Sequence, residues 1–474
     1  MTSQKEFKAA AEKALEHAVA WREDGPKLPA FPSATTAQIR ASFDGDLPEQ
    51  GLNGEVIIDN LARAAEPGLV NNTHPNFYAW VQGASHPIGV AADILTSAWG
   101  QNAAIHQTAP AAAIAEEVSS KWILDLLNLP PESSFAFATG ATMASFICLS
   151  AARSEVLHRQ GYDLEHEGLT GAPNIQVFLG KEAHATIISD LRYLGFGHKN
   201  LVFIEVDHQG RMLPDDLEHK LGCSDSDGPK IVIVQAGHIN SGAFDPFNEI
   251  IPLCKVYDAW VHVDGAFGLW ARAAPSLAHL CEGLEHADSW TVDGHKWLQV
   301  PYDSGYAIVK HPDAHRRAMD ITASYLVSDP DDGRNPAQFG LELSRRARGF
   351  SLWAVLQALG RQGVVEMISR HHDCAKLLEQ HLAGTPRIRI LNEVVLNQLA
   401  IAFGDENEAL EKRNQMTAAV IEKIREENKN FVLGAKWKNQ SILRISIISQ
   451  LTDKDDIEVL GASLLRAWDA VRSR

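Results

Sequence analysis

Short apolar runs alternate with helical patterns along the middle of the chain. FAFATG, IQVFLG, IVIVQAG, WVHVDGAFG, SWTVDG and GYAIVK read as strands, and MASFICLSAARSEVLHR, HATIISDLRYLG and FNEIIPLCKVYD read as helices between them. That alternation predicts a mostly parallel sheet covered by helices on both faces, an α/β fold. Residues 1–70 predict an N-terminal helical arm, opened by the amphipathic stretch MTSQKEFKAAAEKALEHAVAW and broken by the turn-rich GPKLPAFP and FDGDLPEQG. The large domain is expected over 71–374, closing with the helix LWAVLQALGRQGVVEMISRHH. A small α+β domain is expected over 375–474, with strands in NQLAIAF and ILRISIIS.

Charge narrows the partners. The 474 residues carry 43 basic against 60 acidic groups, a formal charge of −17 that repels nucleic acid and anionic membranes. No basic run offsets it. The five cysteines include no CxxC pair, so neither a disulfide framework nor a zinc site is indicated, and a reducing cytoplasmic setting is expected. No apolar window is long enough to span a bilayer. The expectation is therefore a cytoplasmic protein with small-molecule partners and no metal.

Two residues stand where folding alone gives no reason for them. Asp264 ends the apolar strand WVHVD, where ligands bind in open α/β sheets; its alternative is a cap on the next helix. Lys296 follows the strand SWTVDG, between His295 and Trp297; its alternative is a lysine whose stem lies on apolar surface while its amine reaches water. Together, an amine able to form a Schiff base and a carboxylate able to hold a pyridinium proton are what pyridoxal 5′-phosphate requires. Gly140, Ala141 and Thr142, between a strand and a helix, offer N–H groups and a hydroxyl to a phosphate. His184 stands at another strand-to-helix junction, from which an imidazole can stack on a ring or simply start a helix.

With these residues in place the chain resembles the group II pyridoxal-phosphate-dependent amino-acid decarboxylases. The resemblance runs over about residues 70–370, through HPNFYAW (74–80), TGATMAS (139–145), the AHATI histidine, GAFDP (242–246), the long segment from HVDGAFG to GYAIVK, and SRRARG (344–349). It implies the aspartate-aminotransferase-type fold (fold type I) and a homodimer with shared active sites, around which the N-terminal arm wraps. It also implies Lys296 as the Schiff-base lysine, Asp264 as partner of the pyridine nitrogen and His184 as the ring-stacking group. Gly140, Ala141, Thr142 and His295 fall near the phosphate. The implied reaction is decarboxylation of an L-amino acid through an external aldimine and a quinonoid carbanion.

The departures are as informative. Asp293 stands where relatives carry asparagine before the His-Lys pair. Phe339 falls close to the position of a loop tyrosine that, in the family's decarboxylases, delivers the final proton; Tyr325 is an alternative holder of that role. A phenylalanine there implies, as an alternative, oxygen-consuming decarboxylation with oxidative deamination to an aldehyde. A catalytically silent dimeric relative is the third reading, against which the intact Lys296, Asp264 and His184 argue. Trp80, Gln82, Trp99 and Phe339 are the expected substrate contacts. Indole faces suggest an aromatic or apolar side chain, and glutamate is disfavoured because Trp80 stands where a reader of a second carboxylate is expected. Arg444 is read as a strand arginine rather than a carboxylate binder.

Overall fold

Strands covered on both faces have no polar side to show, and their sequences say so. In a computed structural model that describes residues 4–224, 228–321 and 334–473, the central strands are buried along their whole length. The seven strands are β1 (Ser134–Ala138), β2 (Gln176–Gly180), β3 (Leu201–Ile204), β4 (Lys230–Gln235), β5 (Trp260–Asp264), β6 (Ser289–Asp293) and β7 (Gly305–Val309). They lie in the order β1-β7-β6-β5-β4-β2-β3. All neighbouring pairs from β6 to β3 are parallel, and β7 runs antiparallel to both β1 and β6. Six strands therefore point one way. Their C-terminal ends, Ala138, Gly180, Ile204, Gln235, Asp264 and Asp293, lie along one edge, where ligands bind in sheets of this kind.

The helix Ala141–Arg159 crosses this sheet closely because its inner face is built of small residues. Cys148 Sγ lies 3.6 Å from Trp290 O and 3.7 Å from Ile308 O, and Ser145 Oγ donates to Thr291 Oγ1 at 3.1 Å. Ile147, Leu179, Ile231 and Trp260 fill the core beneath it. The long helix Arg348–Leu382 is broken at Gly360, whose φ of 60° and ψ of 177° no helix interior adopts. A single uninterrupted helix, expected from its periodicity, is therefore two.

The chain divides into two compact units: 81–379 with 390–400, and 1–80 with 380–389 and 401–474. In the second, Phe77 stacks on Phe431 at 4.9 Å and Phe31 tilts against it at 4.4 Å. Ser446 N donates to Tyr78 O at 3.0 Å. A four-stranded sheet is ordered β10 (Leu433–Trp437), β11 (Gln440–Ser446), β9 (Gln398–Phe403), β8 (Ile388–Ile390). The helix Gln4–Asp24 buries no residue and leaves Phe7, Leu15 and Val19 exposed, beside Val56, Ile57 and Leu61 on the helix Gly54–Ala65. Among the described residues no helix is long and apolar enough to cross a membrane.

Candidate active site

After β6 the chain turns through Asp293, Gly294, His295 and Lys296, and glycines on two sides dictate that turn. A Cβ on Gly294 would stand 2.0 Å from Tyr306 Oη, and one on Gly83 would stand 2.1 Å from the carbonyl oxygens of both His295 and Lys296. Lys296 Nζ lies 2.9 Å from Asp293 Oδ2; the lysine side chain is 25% exposed and the aspartate 2%. His295 Nδ1 accepts the Ser304 N–H at 3.2 Å, so the neutral ring carries its proton on Nε2, which faces Asp293 Oδ2 at 3.6 Å. Burial holds this imidazole below its usual pKa, against the pull of Asp293. Tyr302 stacks on the His295 ring at 4.3 Å, and the Arg348 guanidinium fixes the same loop through Asp303 Oδ1 at 2.6 Å.

Asp264 is the last residue of β5, in register with Gln235 of β4 and near-opposite Thr291 of β6. Its buried carboxylate accepts the Ala266 N–H at 3.3 Å. Small residues follow because the backbone must pass close: a Cβ on Gly268 would stand 2.2 Å from Ala236 O. A second acid, Asp190 on the helix Ala185–Tyr193, is buried with both carboxylate oxygens unpartnered. Burial, and then the charge of Asp264, push the Asp190 pKa up to about 7. His184 caps that helix. Its Nδ1 sits 2.7 Å from Thr186 Oγ1 and accepts the Thr186 N–H at 3.3 Å, which fixes the ring.

The helix Ala141–Arg159 begins at Gly140 with no side-chain cap, leaving its first N–H groups for an external acceptor. The turn is packed to contact: a Cβ on Gly140 would stand 3.1 Å from His295 Cε1, and one on Gly305 would stand 2.4 Å from Gly140 Cα. Lys296, Asp264, His184, His295, Asp293 and the Gly140–Thr142 turn all line one cavity of about 330 Å³. It offers an amine, a buried carboxylate, an imidazole and a helix N-terminus. Asp293 Oδ1 adds a buried oxygen without a hydrogen-bond partner. That donor set fits pyridoxal 5′-phosphate, which needs an amine for its aldehyde, an acid for its ring nitrogen and a cradle for its phosphate.

The pyridoxal-dependent decarboxylase conserved domain matches residues 37–403. The chain belongs to that family. It is a pyridoxal-phosphate-dependent amino-acid decarboxylase of the aspartate-aminotransferase-type fold (fold type I). The aromatic-L-amino-acid decarboxylase of Bacillus atrophaeus is 24% identical over 88% of this chain and 86% of its own length. The 4-hydroxyphenylacetaldehyde synthase of Rhodiola rosea is 25% identical over 91% and 89%. The crystal structure of Oryza sativa TDC with PLP and tryptamine superposes with a TM-score of 0.92 at 21% identity, covering 99% of this chain and 98% of that one.

The decarboxylase brings together eight of the residues singled out from sequence: Gly140, Ala141, Thr142, His184, Asp264, Asp293, His295 and Lys296. Among the described residues, the wall of that cavity does not include the expected substrate contacts Gln82, Trp99 and Phe339. Trp99 is half exposed and meets Phe350 edge-on at 5.2 Å, Gln82 is not in the cavity wall, and Trp80 belongs to the other compact unit, exposed at a φ of 52°. Phe339 is buried in the core, edge-on to His315 at 5.2 Å and beneath the Arg334 guanidinium at 4.5 Å, with its carbonyl oxygen 2.9 Å from His315 Nε2. An apolar ring after a polar loop is as fit for a core as for a substrate, and here the core takes it. Tyr325 lies outside the described residues. Arg444 is buried, with burial pushing its pKa down to about 10.

The sequence reading missed Met143, Thr186, Ile239 and Phe267 in the cavity wall, and Tyr302 against His295. Thr186 carried a legible signal, since a hydroxyl two residues after a helix-capping side chain is placed to bond it. Met143 simply adjoins the Gly140–Thr142 turn, whereas Ile239, Phe267 and Tyr302 follow β4, β5 and β6, depend on the sheet order and carried none.

Proposed function

We propose that this decarboxylase removes the α-carboxylate of an L-amino acid with an aromatic or apolar side chain, releasing CO2 and the amine. The observation that carries this reading is the single cavity that gathers Lys296, Asp264, His184 and the Gly140–Thr142 turn at the C-terminal edge of the sheet. Pyridoxal 5′-phosphate supplies there an aldehyde that takes an amine and a ring that accepts the electron pair left by CO2. Lys296 is the amine for that aldehyde. Asp264, a buried carboxylate, keeps a proton on the ring nitrogen. His184, locked by Thr186, supports the ring face, and the first turn of the helix Ala141–Arg159 binds the phosphate.

After CO2 leaves, a proton must reach the α-carbon. Lys296 Nζ, held at 2.9 Å by Asp293 Oδ2, is a donor that the cavity itself contains. Met143, Ile239 and Phe267 supply apolar wall for the substrate side chain, and the similarity to an aromatic-amino-acid decarboxylase supports the same class. The similarity to an aldehyde synthase favours a second reading, in which dioxygen takes the electron pair in place of that proton and is reduced to hydrogen peroxide, while water hydrolyses the oxidised carbon–nitrogen bond to an aldehyde and ammonia.

An amino-acid panel scored for CO2, amine, aldehyde and peroxide separates the two. Equal yields of CO2 and amine from an aromatic substrate are expected; peroxide in step with CO2 replaces the first reading with the second, and no turnover of any amino acid overturns both.

A further inference from the structure

Asp293 is a charge in the wrong place for a phosphate site, and among the described residues its surroundings leave it one way to resolve the conflict. Its side chain is 2% exposed; Oδ2 pairs with Lys296 Nζ at 2.9 Å and Oδ1 has no partner. Oδ1 faces the phosphate turn, since a Cβ on Gly140 would stand 3.6 Å from it. A phosphate seated on that turn therefore brings a second anion against a desolvated carboxylate. Two anions sharing a low-dielectric site do not both stay ionised unless a cation joins them.

Among the described residues the cations around Asp293 are few. Lys296 is its ion-pair partner, but that nitrogen is the one that reacts. The lysine ammonium and the aldehyde condense to a protonated C=N bond, the carbonyl oxygen leaving as water with two of the ammonium hydrogens. The positive charge is conserved, yet it moves with the nitrogen to the aldehyde carbon. His295 is held neutral by burial and by the Ser304 N–H on its Nδ1, so it offers only an Nε2–H at 3.6 Å. Tyr302 is pushed up to about 12 and Tyr306, bonded to Ser304 Oγ at 2.8 Å, is pushed higher still, Asp293 contributing to both shifts. Neither tyrosine adds positive charge. Asp303 is turned to Arg348, and Asp264 is a further acid in the same cavity wall.

We propose that Asp293 takes up a proton from solvent when the cofactor binds, so that it faces the phosphate as a neutral carboxylic acid donating a hydrogen bond. Holding the cofactor is thereby coupled to pH. This rests on the reading of Lys296 and the Gly140–Thr142 turn as cofactor ligands. Binding that takes up a proton weakens as pH rises, by up to about tenfold per pH unit for one proton taken up. Asp293 acts on the cofactor's phosphate and not on the reacting carbon, so the test reads binding.

Pyridoxal phosphate is titrated into cofactor-free wild-type protein and Asp293→Asn between pH 6 and 9. Affinity is followed by the absorbance of the lysine-bound cofactor, and proton uptake by calorimetry in buffers of different ionisation enthalpy. The cofactor's own titrations are common to both proteins. The difference isolates position 293: wild type is expected to take up about one proton more and to lose affinity about tenfold per pH unit more steeply than the variant over part of this range. Equal proton uptake and parallel affinity profiles overturn the proposal. If Asp293→Asn does not fold, infrared difference spectra of wild type with and without cofactor decide instead, with aspartate carboxyl carbons isotope-labelled. A protonated-carboxyl band arising on binding supports the proposal, and its absence overturns it. A wild-type protein that develops no lysine-bound absorbance at all refutes the cofactor reading instead, which is a separable failure.

Discussion

Single side chains in this protein are legible from sequence when their chemistry conflicts with their place in the fold. Asp264 and Lys296 stand at the ends of buried strands, where an ionised group is costly unless something needs it, and both line the cavity. Phe339 and Trp99 show the converse: an apolar ring announces burial but not direction, and the core or a neighbouring ring satisfies it equally well. Asp190 could not be read at all, because an acid in an amphipathic helix is ordinarily solvated. Its carboxyl, pushed up to about 7, yields a pH prediction. The folded-state pKa is raised above the ordinary carboxylate value near 4, so folding takes up a proton between about 4 and about 7. The stability this group allows is full below that window and is lost as pH rises through it. In cofactor-free protein, urea midpoints of Asp190→Asn are expected to gain on wild type from pH 5 to about pH 7 and to hold that gain at pH 8. A constant difference between the two would show that Asp190 ionises normally in the folded state.

At the scale of elements, unbroken apolar runs found β1, β2, β4, β5, β6 and β7, because strands covered on both faces must be apolar throughout. The short β3, β8 and β10 escaped the pattern: β3 is a four-residue edge strand largely half buried, β8 has three residues, and β10 alternates exposed and half-buried positions. Glycine did more than punctuate these elements. Gly83, distant in sequence from the lysine turn, closes against its backbone, and a methyl group at Gly83 would stand 2.1 Å from the carbonyl oxygens of His295 and Lys296. Backbone cannot yield as a flexible side chain can. Gly83→Ala is therefore expected to fold with the lysine turn displaced and to bind pyridoxal phosphate at least about tenfold more weakly, the equivalent of about 1.4 kcal/mol. Unchanged affinity in a folded variant would show that the turn tolerates the shift.

For the whole molecule, the large exposed residues of the first helices call for a partner. Phe7, Leu15, Val19, Val56, Ile57 and Leu61 lie exposed on helices Gln4–Asp24 and Gly54–Ala65, an apolar surface that a solvated arm has no reason to keep. A second copy of the chain is the proposed cover, with active sites shared across the pair. Sedimentation is expected to give twice the 51.9 kDa chain mass, and Leu15→Asp with Leu61→Asp is expected to shift the protein toward one chain. A wild-type protein sedimenting as a single chain at micromolar concentration would remove that proposal. The architecture was legible because strand and helix patterns survive without side-chain detail; much of the cavity wall was not, because it is assembled from separate strand ends that only the sheet order brings together.

Trapping the cofactor on the protein shows which lysine carries it. The protein is loaded with pyridoxal phosphate, reduced with borohydride to trap the bond, digested, and its peptides are weighed. One stable adduct is expected, on the peptide containing Lys296, and none in Lys296→Ala. An adduct on another lysine at full occupancy, or no adduct in wild type, would contradict that assignment.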